Sequence, residues 1–132
     1  LYLTENAKYV EKFCADRIPI IKYQVQEGTY LAWLDCRELS EKLDVETKAS
    51  ELNIYNKANN VTATDFFGVT SIKTYTGGSY LKKWMLDNAR IDINPGENYG
   101  KGGDGFMRMN LATNRATLLK AMENIEIAIN NI

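Results

Sequence analysis

The sequence predicts an α+β fold in which a small antiparallel or mixed sheet is covered by helices. Apolar residues recur at helical spacing near both ends of the chain, over residues 4–16 and 118–129. Between these ends, residues 21–25 and 106–111 alternate apolar and polar side chains with the period of two that strands show. Helices and short strands mixed within 132 residues indicate a single domain, 1–132, with its own core.

The first half of the chain is predicted to form a helix, a hairpin and two more helices. The strands of the hairpin are residues 21–25 and 29–34, and Glu27 and Gly28 form the turn between them. A short helix is predicted over 37–43. A longer helix follows over 45–57, where apolar residues again share one face.

The second half begins with a stretch that lacks a clear period. Residues 59–78 are rich in Thr, Asn and Gly, and we interpret them as an excursion from the core sheet with Phe66, Phe67 and Tyr75 as isolated anchors. A second firm helix is predicted over 81–89 and a short strand over 91–93. A glycine-rich loop, a strand and the closing helix complete the chain.

Composition and charge exclude several classes of partner. Sixteen Lys and Arg residues against seventeen Asp and Glu give a net charge of −1, so no basic surface indicates a nucleic-acid partner. No apolar run reaches the roughly 18 residues that a membrane helix needs, and no secretory signal opens the chain. Cys14 and Cys36 are predicted to be buried free thiols, which suits a reducing, cytoplasmic location.

The chain contains no histidine. Ser–His and Cys–His nucleophile systems are therefore excluded within it, and so are zinc sites built on imidazole. The chain begins with Leu1 in a helical pattern, from which we expect it to be a fragment of a longer protein.

Arg108 is the candidate binding residue. Met107 and Met109 alternate with it along the strand, so they face the core while Arg108 projects from the opposite face of a rigid element. A guanidinium is a planar, permanently charged fork that can hold a carboxylate with two parallel hydrogen bonds. The alternative is a structural ion pair with Asp35 or Asp92.

The glycine loop before this strand spells G-x-G-x-x-G over residues 100–105. A dinucleotide-binding motif requires a helix directly after it, whereas here a strand follows. A phosphate-binding P-loop is also excluded, because Lys101 is followed by Gly102 and not by Ser or Thr. Two interpretations stay open: a rim that lets backbone approach a ligand, and a flexible hairpin connection.

Two segments together resemble a known family. Residues 27–37, EGTYLAWLDCR, and the loop and strand over 96–110 are similar in order and position to motifs of pyridoxal-phosphate enzymes of the aspartate aminotransferase superfamily. The resemblance is to their C-terminal small domain, and most of all to the cystathionine β-lyase-like branch of C–S lyases. It covers residues 1–44 and 79–132, so the stretch 45–78 is interpreted as an insertion that covers the active-site entrance or decorates the surface.

The resemblance implies roles for four residues. Arg108 would grip the α-carboxylate of the substrate, Gly96 and Tyr99 would border the active site, and Tyr30 would lie near the domain interface as a weaker assignment. It also implies pyridoxal phosphate as the cofactor, bound mainly by a large domain that this chain lacks. We therefore assign no catalytic, cofactor-binding or metal-binding residue within the chain.

Three functions follow from these observations. The resemblance implies that the intact protein, a homodimer, cleaves the C–S bond of cystathionine-like amino acids by β-elimination. An aminotransferase uses the same carboxylate clamp and is the alternative. A stand-alone, non-catalytic domain that binds amino acids or a protein partner is the third hypothesis. In isolation, the 132-residue chain is expected to fold but to be inactive and to bind pyridoxal phosphate poorly.

Overall fold

The computed structural model describes residues 2–26, 30–100 and 102–132. Five α-helices and one 3₁₀ turn surround two small antiparallel sheets in this part of the chain. The helices are α1 (Tyr2–Arg17), α2 (Arg37–Leu43), α3 (Val45–Ala58), α4 (Gly77–Ala89) and α5 (Arg115–Asn130), and the 3₁₀ turn is Gly96–Tyr99. The strands are β1 (Leu31–Asp35), β2 (Thr62–Thr64), β3 (Thr70–Ile72), β4 (Asn94–Pro95) and β5 (Phe106–Asn110). The predicted α+β class is confirmed.

The main sheet has β5 in the centre, between β1 and β4, and both pairings are antiparallel. Ala32 and Leu34 of β1 are fully buried, and Met107 and Met109 of β5 are almost so. These side chains join one core with the apolar stripes of α1, α4 and α5. The predicted methionine face is therefore the core face, and the other face of the sheet stays open.

Local sequence explains where the two core helices begin and end. Thr76 caps α4 through a reciprocal pair of hydrogen bonds with Ser79, and Arg90 ends the helix in the left-handed conformation at φ 57°. Asn114 caps α5 by accepting a hydrogen bond from the Thr117 N–H at 2.8 Å.

The predicted hairpin of residues 21–25 with 29–34 is wrong. β1 pairs with β5, and the earlier segment contributes a single bridge between Lys22 and Asp35. Beyond this bridge the segment turns to α1, where the Val25 N–H donates to the Glu11 carboxylate at 2.8 Å and not to a strand. The predicted turn at Glu27 and Gly28, with Thr29, lies outside the described residues.

The strand predicted over 91–93 occurs later, as β4 (Asn94–Pro95). The C-terminal cap of α4 occupies the start of this stretch: Arg90 is left-handed, and the Ile91 N–H closes the cap by donating to the Met85 carbonyl at 3.4 Å. The extended backbone that pairs with β5 therefore starts only at Asn94.

The stretch 45–78 contains α3 as predicted, followed by the unpredicted hairpin β2–β3. Phe66 and Phe67 lie at the tip of this hairpin and are 96% and 85% exposed. The prediction that they anchor the stretch to the core is wrong, because the turn between the strands carries them into solvent. Instead, polar side chains of α3 hold the base of the hairpin, as described below.

Both cysteines are buried free thiols, as predicted. No helix in the described part of the chain is long and apolar enough to cross a bilayer.

Candidate functional site

Arg108 lies in the middle of β5 and projects from the open face of the sheet. It is directly opposite Trp33 of β1 on one side and Asn94 of β4 on the other. Directly opposed residues of antiparallel strands share a face, so these three side chains form a row across the sheet. Because the central strand is hydrogen-bonded on both edges, the position of the arginine Cα is fixed by the sheet and not by a loop.

An aromatic ring orients the guanidinium. The Arg108 Cζ lies 4.0 Å from the centroid of the Tyr99 ring, within the range of a cation–π contact. Tyr99 in turn meets the Trp33 ring edge-on, with 5.9 Å between centroids and an 86° angle between planes. Trp33, Tyr99 and Arg108 form a continuous stack, which we call the clamp cluster.

The two carboxylates that could have neutralised Arg108 have other partners. Asp35 accepts hydrogen bonds from the Arg37 side chain at 2.8 and 2.9 Å. Asp92 pairs with Lys82, whose ammonium group also donates to the Ile93 carbonyl at 3.2 Å. No ion pair to Arg108 exists among the described residues, so the structural alternative raised by the sequence is wrong.

The glycine loop is folded tightly against the 3₁₀ turn. A Cβ atom on Gly96 would lie 2.5 Å from the Gly103 carbonyl oxygen, 2.9 Å from that of Phe106 and 3.0 Å from the Trp33 ring. A Cβ on Gly103 would meet the Gly96 carbonyl oxygen at 2.1 Å. The two glycines therefore let two stretches of backbone touch, which fixes the turn that carries Tyr99.

Gly105 connects this loop to β5 and to α2. It adopts φ +83°, a left-handed conformation that favours glycine, and its carbonyl accepts a hydrogen bond from the Cys36 N–H at 2.9 Å. Lys101 of the loop lies outside the described residues. The strand after the loop confirms that this G-x-G-x-x-G sequence does not open a helix.

Two adjoining cavities extend the site along the open face of the sheet. One has a volume of about 390 Å³ and is lined by Gln26, Trp33, Phe106, Tyr99 and the glycines 96, 100, 102 and 103. The other, of about 330 Å³, shares Gln26, Trp33 and Phe106 and continues towards Tyr23 and Asp35. An aromatic floor with polar edges suits a small organic ligand held by few polar groups.

The structure brings together three of the four predicted site residues. Arg108 and Tyr99 are in contact, and Gly96 begins the turn that ends at Tyr99. Tyr30 is 53% exposed just before β1, and the two cavities are lined by other residues. The structure thus does not place the Tyr30 side chain in the clamp cluster.

Trp33 was not among the predicted site residues. Residues 30–34 are all apolar, so the sequence shows no alternation that separates the faces of this strand. The structure separates them, because Ala32 and Leu34 are buried and Trp33 lies on the other face, opposite Arg108. The contact of Gly96 with Gly103 could not be found from sequence, because nothing in the spacing of glycines shows which of them meet.

The fold and the clamp cluster define a small α+β domain that presents an arginine, with no ion pair among the described residues, beside an aromatic-floored cavity. Comparison with known proteins places this domain more closely. A Mycobacterium tuberculosis protein named "Putative cystathionine beta-lyase" is 31% identical over 123 residues, which are 93% of this chain and 26% of that protein. The aspartate aminotransferase of Pyrococcus horikoshii is 38% identical over 49 residues, 37% of this chain and 12% of that enzyme.

The fold itself occurs in a solved structure. The crystal structure of cystalysin from Treponema denticola, which contains a pyridoxal 5′-phosphate cofactor, matches with a TM-score of 0.64 and 22% identity. The match covers 98% of this chain and 24% of cystalysin. No family model matches the chain.

The chain is therefore a homologue of cystathionine β-lyases, as the sequence motifs indicated. It spans about a quarter of the length of the curated relatives that it matches along most of its sequence.

Proposed function

We propose that this chain is the substrate-binding, C-terminal small domain of a cytoplasmic pyridoxal-phosphate enzyme that cleaves C–S bonds of cystathionine-like amino acids. One observation carries the proposal: Arg108 stands on a rigid strand, stacked on Tyr99 and with no carboxylate partner among the described residues. An arginine that is oriented but not neutralised can hold the α-carboxylate of an amino acid. The similarity to the mycobacterial protein supports the reaction class.

The cofactor fits this arrangement only if another part of the protein holds it. Lysines of the described chain lie at the surface, and Lys22, Lys82 and Lys83 are each paired with a carboxylate. Pyridoxal phosphate, when bound, supplies the electron sink for the reaction at Cα. The contribution of this chain is to hold the carboxylate at Arg108 and so to fix the direction of the Cα–H bond.

The proposed role of Arg108 is tested by replacing its planar guanidinium group with the ammonium group of a lysine. Arg108→Lys in the full-length enzyme keeps the charge but loses the bidentate geometry. Because a hydrogen bond to a charged group contributes about 1.5–3 kcal/mol, we expect kcat/KM to fall roughly 10- to 150-fold. Arg90→Lys, at an exposed arginine that caps the C-terminus of α4, is the matched control. An unchanged kcat/KM for Arg108→Lys would falsify the clamp.

The second candidate function for the full-length enzyme is that of an aminotransferase. It is supported by the sequence identity of this chain to the aspartate aminotransferase of Pyrococcus horikoshii. Incubation of the full-length enzyme with cystathionine separates the two. Release of pyruvate and thiol without any added keto acid supports the lyase. Turnover that depends on an added keto acid supports the aminotransferase and refutes β-elimination as the main reaction.

The hypothesis of a stand-alone binding domain is tested by reading the open reading frame upstream of Leu1. A large domain carrying a cofactor lysine in the same polypeptide refutes it. We further propose that the 132-residue chain by itself is inactive, and that the amino-acid substrate, the large domain and a second protomer are its partners.

A further inference from the structure

The turn that carries Tyr99 has a carboxylate that ties it to a core helix. Glu97 lies in this 3₁₀ turn, two positions before the ring on which the Arg108 guanidinium stacks. Its Oε1 accepts a hydrogen bond from the Thr76 hydroxyl at 3.0 Å. Because Thr76 is the N-cap of α4, this contact joins the turn of the clamp cluster to the start of that helix.

The glycine at position 78 lets the Glu97 carboxylate reach the helix backbone. A Cβ atom on Gly78 would lie 1.9 Å from the Glu97 Oε1 and 3.1 Å from the Pro95 Cβ, so a side chain there would displace the carboxylate. Gly78 belongs to the first turn of α4, where the N–H groups give a helix a partial positive charge. The Glu97 carboxylate therefore lies against a surface that favours an anion.

The Thr76 hydroxyl is oriented by the cap of α4. It accepts a hydrogen bond from the Ser79 N–H at 3.1 Å, which leaves its own hydrogen for an acceptor. The Ser79 hydroxyl oxygen lies 3.3 Å away and the Glu97 oxygen lies 3.0 Å away. The carboxylate is both nearer and charged, so it is the stronger acceptor of the two.

Side chains of α3 hold the backbone that leads into Thr76. The side chain of Asn53 both donates to and accepts from the backbone of Tyr75, at 2.8 and 2.7 Å. The Asn56 side chain, which is 4% exposed, donates to the Lys73 carbonyl at 3.0 Å. These hydrogen bonds fix the base of the β2–β3 hairpin to α3, and with it the residue directly before Thr76.

The Tyr99 ring depends on its turn for its position. Tyr99 is 48% exposed and lies on the open face of the sheet, so core packing does not hold it. The contact of Gly96 with Gly103 fixes the start of the turn. The hydrogen bond between Glu97 and Thr76 fixes the next residue, and the ring follows two positions later.

We propose that Glu97 is a positioning residue for the clamp cluster, which holds the Tyr99 ring under the Arg108 guanidinium through its hydrogen bond with Thr76. The inference rests on the proposed function, since it assigns Glu97 to the carboxylate clamp of Arg108. Among the described residues no ion pair joins Glu97 to Arg108, so Glu97 acts through the turn and not as a partner of the guanidinium. The stretch 45–78, which holds the residue before Thr76, thereby contributes to the clamp.

Two substitutions at position 97 of the full-length enzyme separate the hydrogen bond from the charge. Glu97→Ala and Glu97→Gln both remove the negative charge, but only glutamine keeps an oxygen that can accept from the Thr76 hydroxyl. We expect kcat/KM of the alanine variant to be about 2- to 5-fold below that of the glutamine variant, the range for loss of one exposed cation–π contact. Both variants should keep the far-ultraviolet circular dichroism of the wild type. Equal kcat/KM values for the two variants overturn the proposal.

A double-mutant cycle tests whether Glu97 acts through the ring. The same pair of substitutions is made in an enzyme that carries Tyr99→Leu. Because the ring is then absent, we expect the alanine and glutamine variants to have the same kcat/KM in this background. A residue that merely stabilises the fold would lower kcat/KM equally with and without the ring. The full difference between the two variants in the Tyr99→Leu background therefore overturns the proposal.

A spectroscopic measurement without turnover separates this inference from the proposed function. 3-Fluorotyrosine is placed at position 99 of the full-length enzyme, and its ¹⁹F resonance reports the surroundings of the ring. We expect the resonance to shift in Glu97→Ala and to stay at its wild-type position in Glu97→Gln. Asp87→Ala, which removes a carboxylate near the other end of α4, is the matched control and should leave the resonance in place.

The two ways of failing are distinct. An unmoved ¹⁹F resonance in Glu97→Ala overturns the positioning role of Glu97, whatever the activity of the enzyme. A shifted resonance together with an unchanged kcat/KM for Arg108→Lys supports the hold of Glu97 on the ring but refutes the proposed function of the clamp.

Discussion

The backbone contact between Gly96 and Gly103 predicts a steric penalty that can be measured. In Gly96→Ala, the added methyl group would approach two backbone oxygens to 2.5 and 2.9 Å and the Trp33 ring to 3.0 Å. Backbone atoms of β5 and of the folded loop cannot rotate away as the end of a side chain can. The 3₁₀ turn must therefore move, and Tyr99 with it.

The expected loss of stability follows from overpacking. Extra methyl groups in tightly packed sites cost about 1–3 kcal/mol. Gly96 does not have a positive φ, so this cost is steric and not conformational. With an unfolding entropy of about 2.1 cal/mol/K per residue, the chain of 132 residues has about 0.28 kcal/mol/K, so Tm should fall by about 4–11 °C.

Thermal melts followed by circular dichroism provide the assay, and Gly78→Ala provides the matched control. Its Cβ would come within 1.9 Å of the Glu97 carboxylate, which is the mobile end of a side chain, and would lie 3.1 Å from the Pro95 Cβ. The Glu97 side chain can move away with the loss of its hydrogen bond from Thr76, so we expect a smaller loss of stability for Gly78→Ala than for Gly96→Ala. A Gly96→Ala melt within about 1 °C of the wild type would refute the close approach of the two glycines.

Three further predictions concern single side chains. Tyr99→Leu in the full-length enzyme should lower kcat/KM about 2- to 5-fold through loss of a cation–π contact of about 0.5–1 kcal/mol, whereas Tyr99→Phe should keep it. Asn6→Ala should lower the urea-unfolding free energy by about 1–3 kcal/mol, because the buried Asn6 amide donates to the Leu111 and Thr113 carbonyls. Burial raises the pKa of the Cys14 thiol to about 12, so a thiol reagent at pH 8 should label it only after denaturant is added.

A fourth prediction concerns pH. The Arg37 side chain lowers the pKa of the Asp35 carboxyl group below its usual value, so the folded state binds the proton more weakly than the unfolded state does. The stability from this pair is present above the unfolded pKa and is lost as pH falls through the folded pKa. Asp35→Asn should therefore destabilise the protein at neutral pH and flatten the acid side of the stability curve. An unaltered acid limb contradicts the assignment.

The sequence predicted the elements with strong periodicity. The helices α4 and α5 and the two faces of β5 are where the apolar spacing placed them, because burial of a single face is what the spacing records. Strand pairing was not predictable in the same way. β1 pairs with a strand about 75 positions later, while the segment before it forms a single bridge at Lys22 and then bonds to α1 through the Val25 N–H.

In the candidate site, too, some features could be predicted from the sequence and others depend on long-range contacts. Alternation alone placed Arg108 on the open face, and family motifs added Gly96 and Tyr99. What neutralises an arginine, however, depends on which carboxylates already have partners. Asp35 is adjacent to the site in space but is taken by Arg37, two residues along the chain. Competition between local and long-range ion pairs cannot be settled from sequence spacing.

The proposed function assigns substrate orientation to the clamp cluster, and the rigidity of this cluster is what would make it suited to that role. A free arginine side chain loses roughly 2 kcal/mol of rotamer entropy when a ligand orders it. Here the central strand fixes the Arg108 backbone, and the Tyr99 ring already restricts the guanidinium, so part of that loss occurs on folding. Binding a carboxylate would then require less ordering, and under the proposed function the energy saved would go into orientation of the substrate. The role proposed for this chain is thus that of a prepared anion holder.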